Sequence, residues 1–194
     1  MKSNKLVDST SRADARTFTV SEAKSLLHAA WFQHPPCAAY FILRTWAGLR
    51  DSEVRELHPS DLESGAVIVG NITTRKVDLA VNVLMMLSVL RQEGRLTHES
   101  LNPSPRVVTA VIKKAGFRME KEENLSPDDN KPVWVPNMPR HTALSYHFAY
   151  HQDSLLTCSW AGHNPVHVNH HHKRLISHED AKSFWEILPM PNCN

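Results

Sequence analysis

Between Pro35-Pro36 and Gly48 the chain runs Ala38-Ala39-Tyr40-Phe41-Ile42-Leu43-Arg44-Thr45-Trp46-Ala47, an almost unbroken apolar segment. The two prolines break whatever precedes it, and Gly48 suits a left-handed stop, so the segment reads as a mostly buried helix. A helix that is apolar around most of its circumference needs cover from several neighbours. The expected fold is therefore mainly helical.

The neighbours can be read from their ends. Thr19-Val20-Ser21-Glu22 has capping-box spacing ahead of a first helix over Ala23 to Ala30. Past Gly48, Asp51 or Ser52 can cap a short helix through Leu57, which leaves Arg50 at a helix amino terminus, where phosphate is favoured. Asn82 to Arg91 and Ser104 to Ala115 read as helices, the second stopped by Gly116. Asn137 can cap a helix from Met138 to His151, with Pro139 tolerated in its first turn and Arg140 near its positive end. Asp153 can cap the next helix toward Trp160, Gly162 turns the chain, and Ser177-His178-Glu179-Asp180 starts a last amphipathic helix bearing Ala181, Phe184, Trp185 and Leu188. Ala66-Val67-Ile68-Val69 and Val77-Asp78-Leu79-Ala80-Val81 read as the two strands of a hairpin. Lys121 to Lys131, acidic and carrying Pro and Asn, reads as a surface loop. The fold class is mainly α with one small antiparallel β-hairpin, an α+β domain.

A length of 194 residues suits one domain. Its expected limits are a flexible arm over 1–17, the folded domain over 18–189 and a tail over 190–194. With 41% hydrophobic and 22% charged residues the chain is globular in composition, and no apolar run is long enough for a bilayer. Met1 to Arg16 lacks the apolar centre of a secretory signal, and Cys37, Cys158 and Cys193 are odd in number and widely spaced. Together these point to the cytoplasm, with no membrane partner. The net charge of +2 neither demands nor excludes a nucleic acid; the basic pairs Arg75-Lys76, Lys113-Lys114 and Lys173-Arg174 matter only if the fold gathers them.

Three short motifs carry a family resemblance. Gly48-Leu49-Arg50-Asp51-Ser52-Glu53, Pro139-Arg140-His141-Thr142 and Ala161-Gly162-His163, the last followed by His172, together resemble the carboxy-terminal boxes of the tyrosine recombinases, the phage-integrase family. The similarity extends from about Phe18 to Pro189, and the ending Glu179 to Pro189 looks like one bacterial branch of integrases. The resemblance implies that Arg50 and Arg140 are the two catalytic arginines, Glu53 the structural companion of the first, and His163 the histidine of the Gly-His box. Two guanidiniums can hold the nonbridging oxygens of a scissile phosphate and stabilise its pentacoordinate transition state. The DNA-binding set implied is Arg50, Arg75, Lys76, Arg140 and His163, and the partner is double-stranded DNA, with a homo-oligomer on that DNA and a nucleoid-associated location.

The family's tyrosine attacks phosphorus while a hairpin lysine protonates the leaving 5′ oxygen. Here His172 stands at the nucleophile position. Imidazole is shorter than a phenol and places its nitrogen elsewhere, so a site arranged for tyrosine would be misaligned. Asn71 falls near the lysine position, with Lys76 the substitute if the hairpin shifts, and Asn137 stands where many members have histidine, its ordinary reading being a helix cap. Tyr146 and Tyr150 follow Arg140 on the same helix and read as packing residues. His163, His167 and His171 recur at intervals of four, but Gly162 and Asn164-Pro165 interrupt the helix that would align them, so neither a metal nor another cofactor is expected. Only Met1 to Phe18 precedes the first capping box, where family members place a separate core-binding domain. The expectation is a DNA-binding, integrase-like domain from a mobile element, degenerate and deficient in strand cleavage. An active recombinase using His172 or another nucleophile, an inert remnant, and a histidine-cluster metal binder remain as alternatives.

Overall fold

The structure is a computed structural model, and it describes residues 16–70, 74–119, 131–162 and 176–189. The first helix, α1, spans Val20–His28. Its capping box forms as the spacing predicts: the Glu22 amide donates to Thr19 Oγ1 at 3.1 Å and the Thr19 amide to Glu22 Oε2 at 2.9 Å. A π turn over Ala29–Gln33 and a 3₁₀ turn over Pro35–Cys37 lead into α2, Ala38–Trp46. Every residue of α2 is buried, Arg44 and Thr45 included. Gly48 takes φ +63° and the Leu49 amide turns back to Leu43 O at 3.2 Å, which closes the helix with the left-handed stop its glycine suggested.

The next helix, α3, covers Asp51–Glu56, and its start corrects the expected cap. Asp51 is the first helical residue, Arg50 occupies the cap position, and the carboxylate of Glu53 reaches back to accept the Arg50 amide at 2.7 Å. A third-position carboxylate bonded to the cap amide thus marks this start, in place of the expected Asp51 or Ser52 cap. Strands β1 (Ala66–Val69) and β2 (Arg75–Asp78) form the expected antiparallel hairpin, pairing Ala66 with Asp78 and Val69 with Arg75. The second strand begins and ends earlier than predicted, because Val81 already opens α4, Val81–Gln92.

Two short helical segments follow, α5 (His98–Leu101), capped by Thr97, and α6 (Pro105–Lys114), capped by Ser104. A parallel pair of two-residue strands, β3 (Arg118–Met119) and β4 (Val133–Trp134), was not expected, nor was α5; such short elements have no periodicity to read. The predicted loop over Lys121 to Lys131 lies almost wholly outside the described residues. Then come α7 (Met138–His151), α8 (Ser154–Ala161) and α9 (His178–Trp185). Asp153 and Ser177 cap α8 and α9 through Leu156 N and Asp180 N, as predicted. Asn137 does precede α7 but its side chain makes no capping bond, which corrects that expectation. Among the described residues no helix is long and apolar enough to cross a membrane.

The core is organised around α2, which packs against α7 and is flanked by α1, α3, α4 and α5. Helix α9 seals the other side of α7: Phe184 stacks on Tyr146 at 4.1 Å and on Trp46 at 5.4 Å, and Trp46 Nε1 donates to Phe184 O at 3.1 Å. Burying a side chain of that size is worth about 2 kcal/mol. Tyr146 is a packing residue, as predicted, with its hydroxyl on Phe18 O at 3.1 Å, while Tyr150 is partly exposed. The segment ahead of α1 is pinned to α7 as well, since the Phe18 amide donates to Thr142 Oγ1 at 2.8 Å.

Candidate functional site

The ends of α2, α7 and α8 and the strand β2 meet around one carboxylate, Glu53. Its side chain is 6% exposed and is surrounded by three guanidiniums. Arg75 grips it with Nη1 to Oε1 at 2.5 Å and Nη2 to Oε2 at 3.1 Å. Arg50 donates Nη1 to Oε1 at 2.7 Å, and Arg140 Nη1 stands 3.8 Å from Oε2. Burial by itself raises the Glu53 pKa, but the bonds and charges of Arg75 and Arg50 outweigh it and hold the carboxyl down at about 2. Glu53 is ionised at any ordinary pH.

Arg140 lies in the first turn of α7, the positive end of that helix, where a buried cation is disfavoured. Backbone carbonyls compensate. Its Nη1 donates to Gly48 O and its Nη2 to Ala161 O, each at 2.5 Å. Ala161 ends α8, and Trp160 O beside it accepts Arg75 Nε at 3.2 Å, so the negative end of α8 is capped by two guanidiniums. Burial, then Arg50 and Arg75, push the Arg140 pKa down to about 9 against the pull of Glu53, which leaves it cationic at neutral pH.

Two glycines make this close approach workable. Gly48 and Gly162 both sit at φ +63°. A Cβ on Gly162 would meet Arg75 Cδ at 2.5 Å, and one on Gly48 would meet the Trp160 ring at 3.0 Å. Trp160 itself is anchored by Nε1 to Asp78 O at 3.2 Å and by stacking on His147 at 4.5 Å. His147 is buried and donates through Nδ1 to Thr157 Oγ1 at 2.9 Å, because the Thr157 hydroxyl proton is spent on Asp153 O. Burial, then the neighbouring His151, lower the His147 pKa to about 4.

The exposures of the three cations differ. Arg50 keeps 45% of its side chain open to solvent, whereas Arg75 and Arg140 are at 9% and 7%. Three cations against one anion leave a net positive cluster whose outermost member is Arg50, an arrangement complementary to a phosphate-like anion. The predicted pair Arg75-Lys76 is divided by the two-residue period of β2. Arg75 turns inward to Glu53, while Lys76 lies on the outer face and pairs with Asp78 at 3.0 Å. Asn137 is exposed just before α7. Asn71, His163, His172 and the His163, His167, His171 series lie outside the described residues. Among the described residues no group of three His, Cys, Asp or Glu could hold a metal ion.

Sequence reasoning gave Glu53 only a supporting part and missed the α8 carbonyls altogether. The signal for Glu53 was present in its spacing of three from Arg50; backbone carbonyls leave no trace in side-chain identity.

No family model matches the chain, and no curated protein matches it. Among solved structures, the crystal structure of XerA recombinase matches with a TM-score of 0.61 at 18% identity, over 95% of this chain and 65% of that one. The fold is that of a tyrosine-recombinase catalytic domain. The present chain spans about two thirds of the length of that recombinase.

Proposed function

We propose that this domain binds duplex DNA through its phosphate backbone, with Arg50 as the direct contact and Arg140 and Arg75 as buried charges behind it. The observation that supports the reading is the Glu53-centred cluster: one guanidinium, that of Arg50, open to solvent and held by a carboxylate that Arg75 and Arg50 itself keep ionised. Its likeness in fold to a protein titled a recombinase supports DNA as the source of that phosphate. On this reading the domain derives from DNA integration or site-specific recombination and is deficient in strand cleavage. His172 stands where the family resemblance calls for tyrosine, and an imidazole cannot put its nitrogen where a phenol puts its oxygen.

Binding of a labelled duplex at low salt tests the first part. Arg50→Ala is expected to weaken it roughly tenfold or more, the loss of one charge-assisted contact. Binding unaffected by Arg50→Ala, or no binding by folded protein, overturns it. A covalent protein–DNA adduct formed by the parent chain would overturn the cleavage-deficient reading, and His172→Tyr shows whether the rest of the site still supports attack.

A further inference from the structure

We propose that Arg44 is a positioning residue for this phosphate site, locking together the two helix starts that carry Arg50 and Arg140; the inference rests on the DNA-binding reading above. Arg44 sits inside α2 and is 5% exposed, on a helix otherwise built of apolar side chains, Thr45 and the Tyr40 hydroxyl. Its Nε has no partner among the described residues. A buried guanidinium with an unsatisfied N–H is a costly choice, and an apolar side chain of similar length would fill the space without that cost. The charge must therefore be judged by what it holds.

It holds both halves of the site. Nη2 donates to Pro136 O at 2.9 Å, in the turn just ahead of α7 and Arg140. Nη1 donates to the Tyr40 hydroxyl at 2.8 Å, and that hydroxyl donates onward to Asp51 Oδ1. Asp51 opens α3 and directly follows Arg50. The second oxygen of Asp51 accepts Arg55 Nε at 2.8 Å, and the guanidiniums of Arg44 and Arg55 each lie 5.2 Å from the centre of the Tyr40 ring. Burial opposes ionisation of Asp51, but the bonds from Arg55 and Tyr40 and the Arg44 charge keep its carboxyl below the usual range. Guanidinium to phenol to carboxylate runs in one direction only, since arginine cannot accept, so the relay has a single register. The planar fork sets the separation of its two acceptors, which a lysine ammonium cannot do. Because α2 also delivers Gly48 O to Arg140, one helix fixes both arginines.

The test is the salt dependence of duplex affinity for the parent, Arg44→Met and Tyr40→Phe, each confirmed folded by circular dichroism. A purely structural loss reduces the folded fraction and leaves the slope of log affinity against log salt unchanged. A positioning loss removes a phosphate contact from every folded molecule. Arg44→Met is expected to weaken binding about tenfold and to reduce that slope by about one, and Tyr40→Phe to move both in the same direction by less. Folded Arg44→Met with the parent's affinity and slope overturns the proposal. If Arg44→Met does not fold, Tyr40→Phe decides, and parental values there overturn it. A parent that binds DNA through Arg50 while both variants match it removes this inference alone; a parent that does not bind removes the DNA-binding reading with it.

Discussion

Replacing Glu53 by glutamine removes the one anion that three guanidiniums share while keeping the side chain's size. The carboxyl's pKa falls from an ordinary 4.5 to about 2 in the fold. At about 1.4 kcal/mol per unit, its ionised form contributes on the order of 3 kcal/mol to stability at neutral pH. That figure already contains the attraction to Arg75 and Arg50, and it agrees with the cost of removing one partner of a buried ion pair, so Glu53→Gln should cost about 3–5 kcal/mol. For a domain of this size that is a fall in Tm of roughly 6–20 °C. Urea unfolding of parent and variant from pH 7 to pH 2 measures it. Because the folded pKa is the depressed one, the stabilisation is fully present above about pH 4.5 and is lost as pH falls toward 2. The gap between parent and variant should thus hold from pH 7 to pH 5 and narrow below that. A gap under about 1 kcal/mol at neutral pH, or one that stays flat down to pH 2, would refute the idea that Glu53 is the hub of the cluster.

Gly162→Ala should lower Tm by several degrees, from about 1–2 kcal/mol of left-handed backbone strain and the displacement of Arg75, whose Cδ lies 2.5 Å from the new Cβ. An unchanged melting curve would count against the packing described for Arg75. His147, whose pKa drops from 6.5 to about 4 chiefly through burial, stabilises the fold fully above about pH 6.5 and loses that contribution as pH falls toward 4. Parent stability should decline by about 3 kcal/mol across that window relative to His147→Gln, and parallel pH profiles would contradict the buried neutral imidazole. Thr19→Ala should cost about 1 kcal/mol in chemical denaturation by opening the α1 capping box, and no cost would mean that the cap is not formed.

How much of this could be read in advance depended on the range of the interaction. Helix α2 and the caps of α1, α8 and α9 were legible because a cap is decided within four residues and a buried helix by its own composition. The same local logic misassigned the start of α3, where Arg50 takes the cap position and its amide is bonded by Glu53 from the third helical position. It also assigned Asn137 a bond that its side chain does not make. The hub itself was beyond local reading: Arg75 reaches Glu53 from another element, and Arg140 is held by Gly48 O and Ala161 O, partners with no side-chain signature. Arg44, the lone charge in its apolar run, was not singled out. Its reason for being there is Pro136, 92 residues away.

On the proposed reading Arg50 is the exposed tip of a positive cluster that receives phosphate. Equilibrium binding of a labelled duplex to the parent and to Arg50→Ala across a salt series tests it most directly. An affinity that falls steeply with salt in the parent, with a slope lower by about one in Arg50→Ala, is the predicted result. Equal slopes in the two proteins, or no binding by folded parent even at low salt, would contradict it.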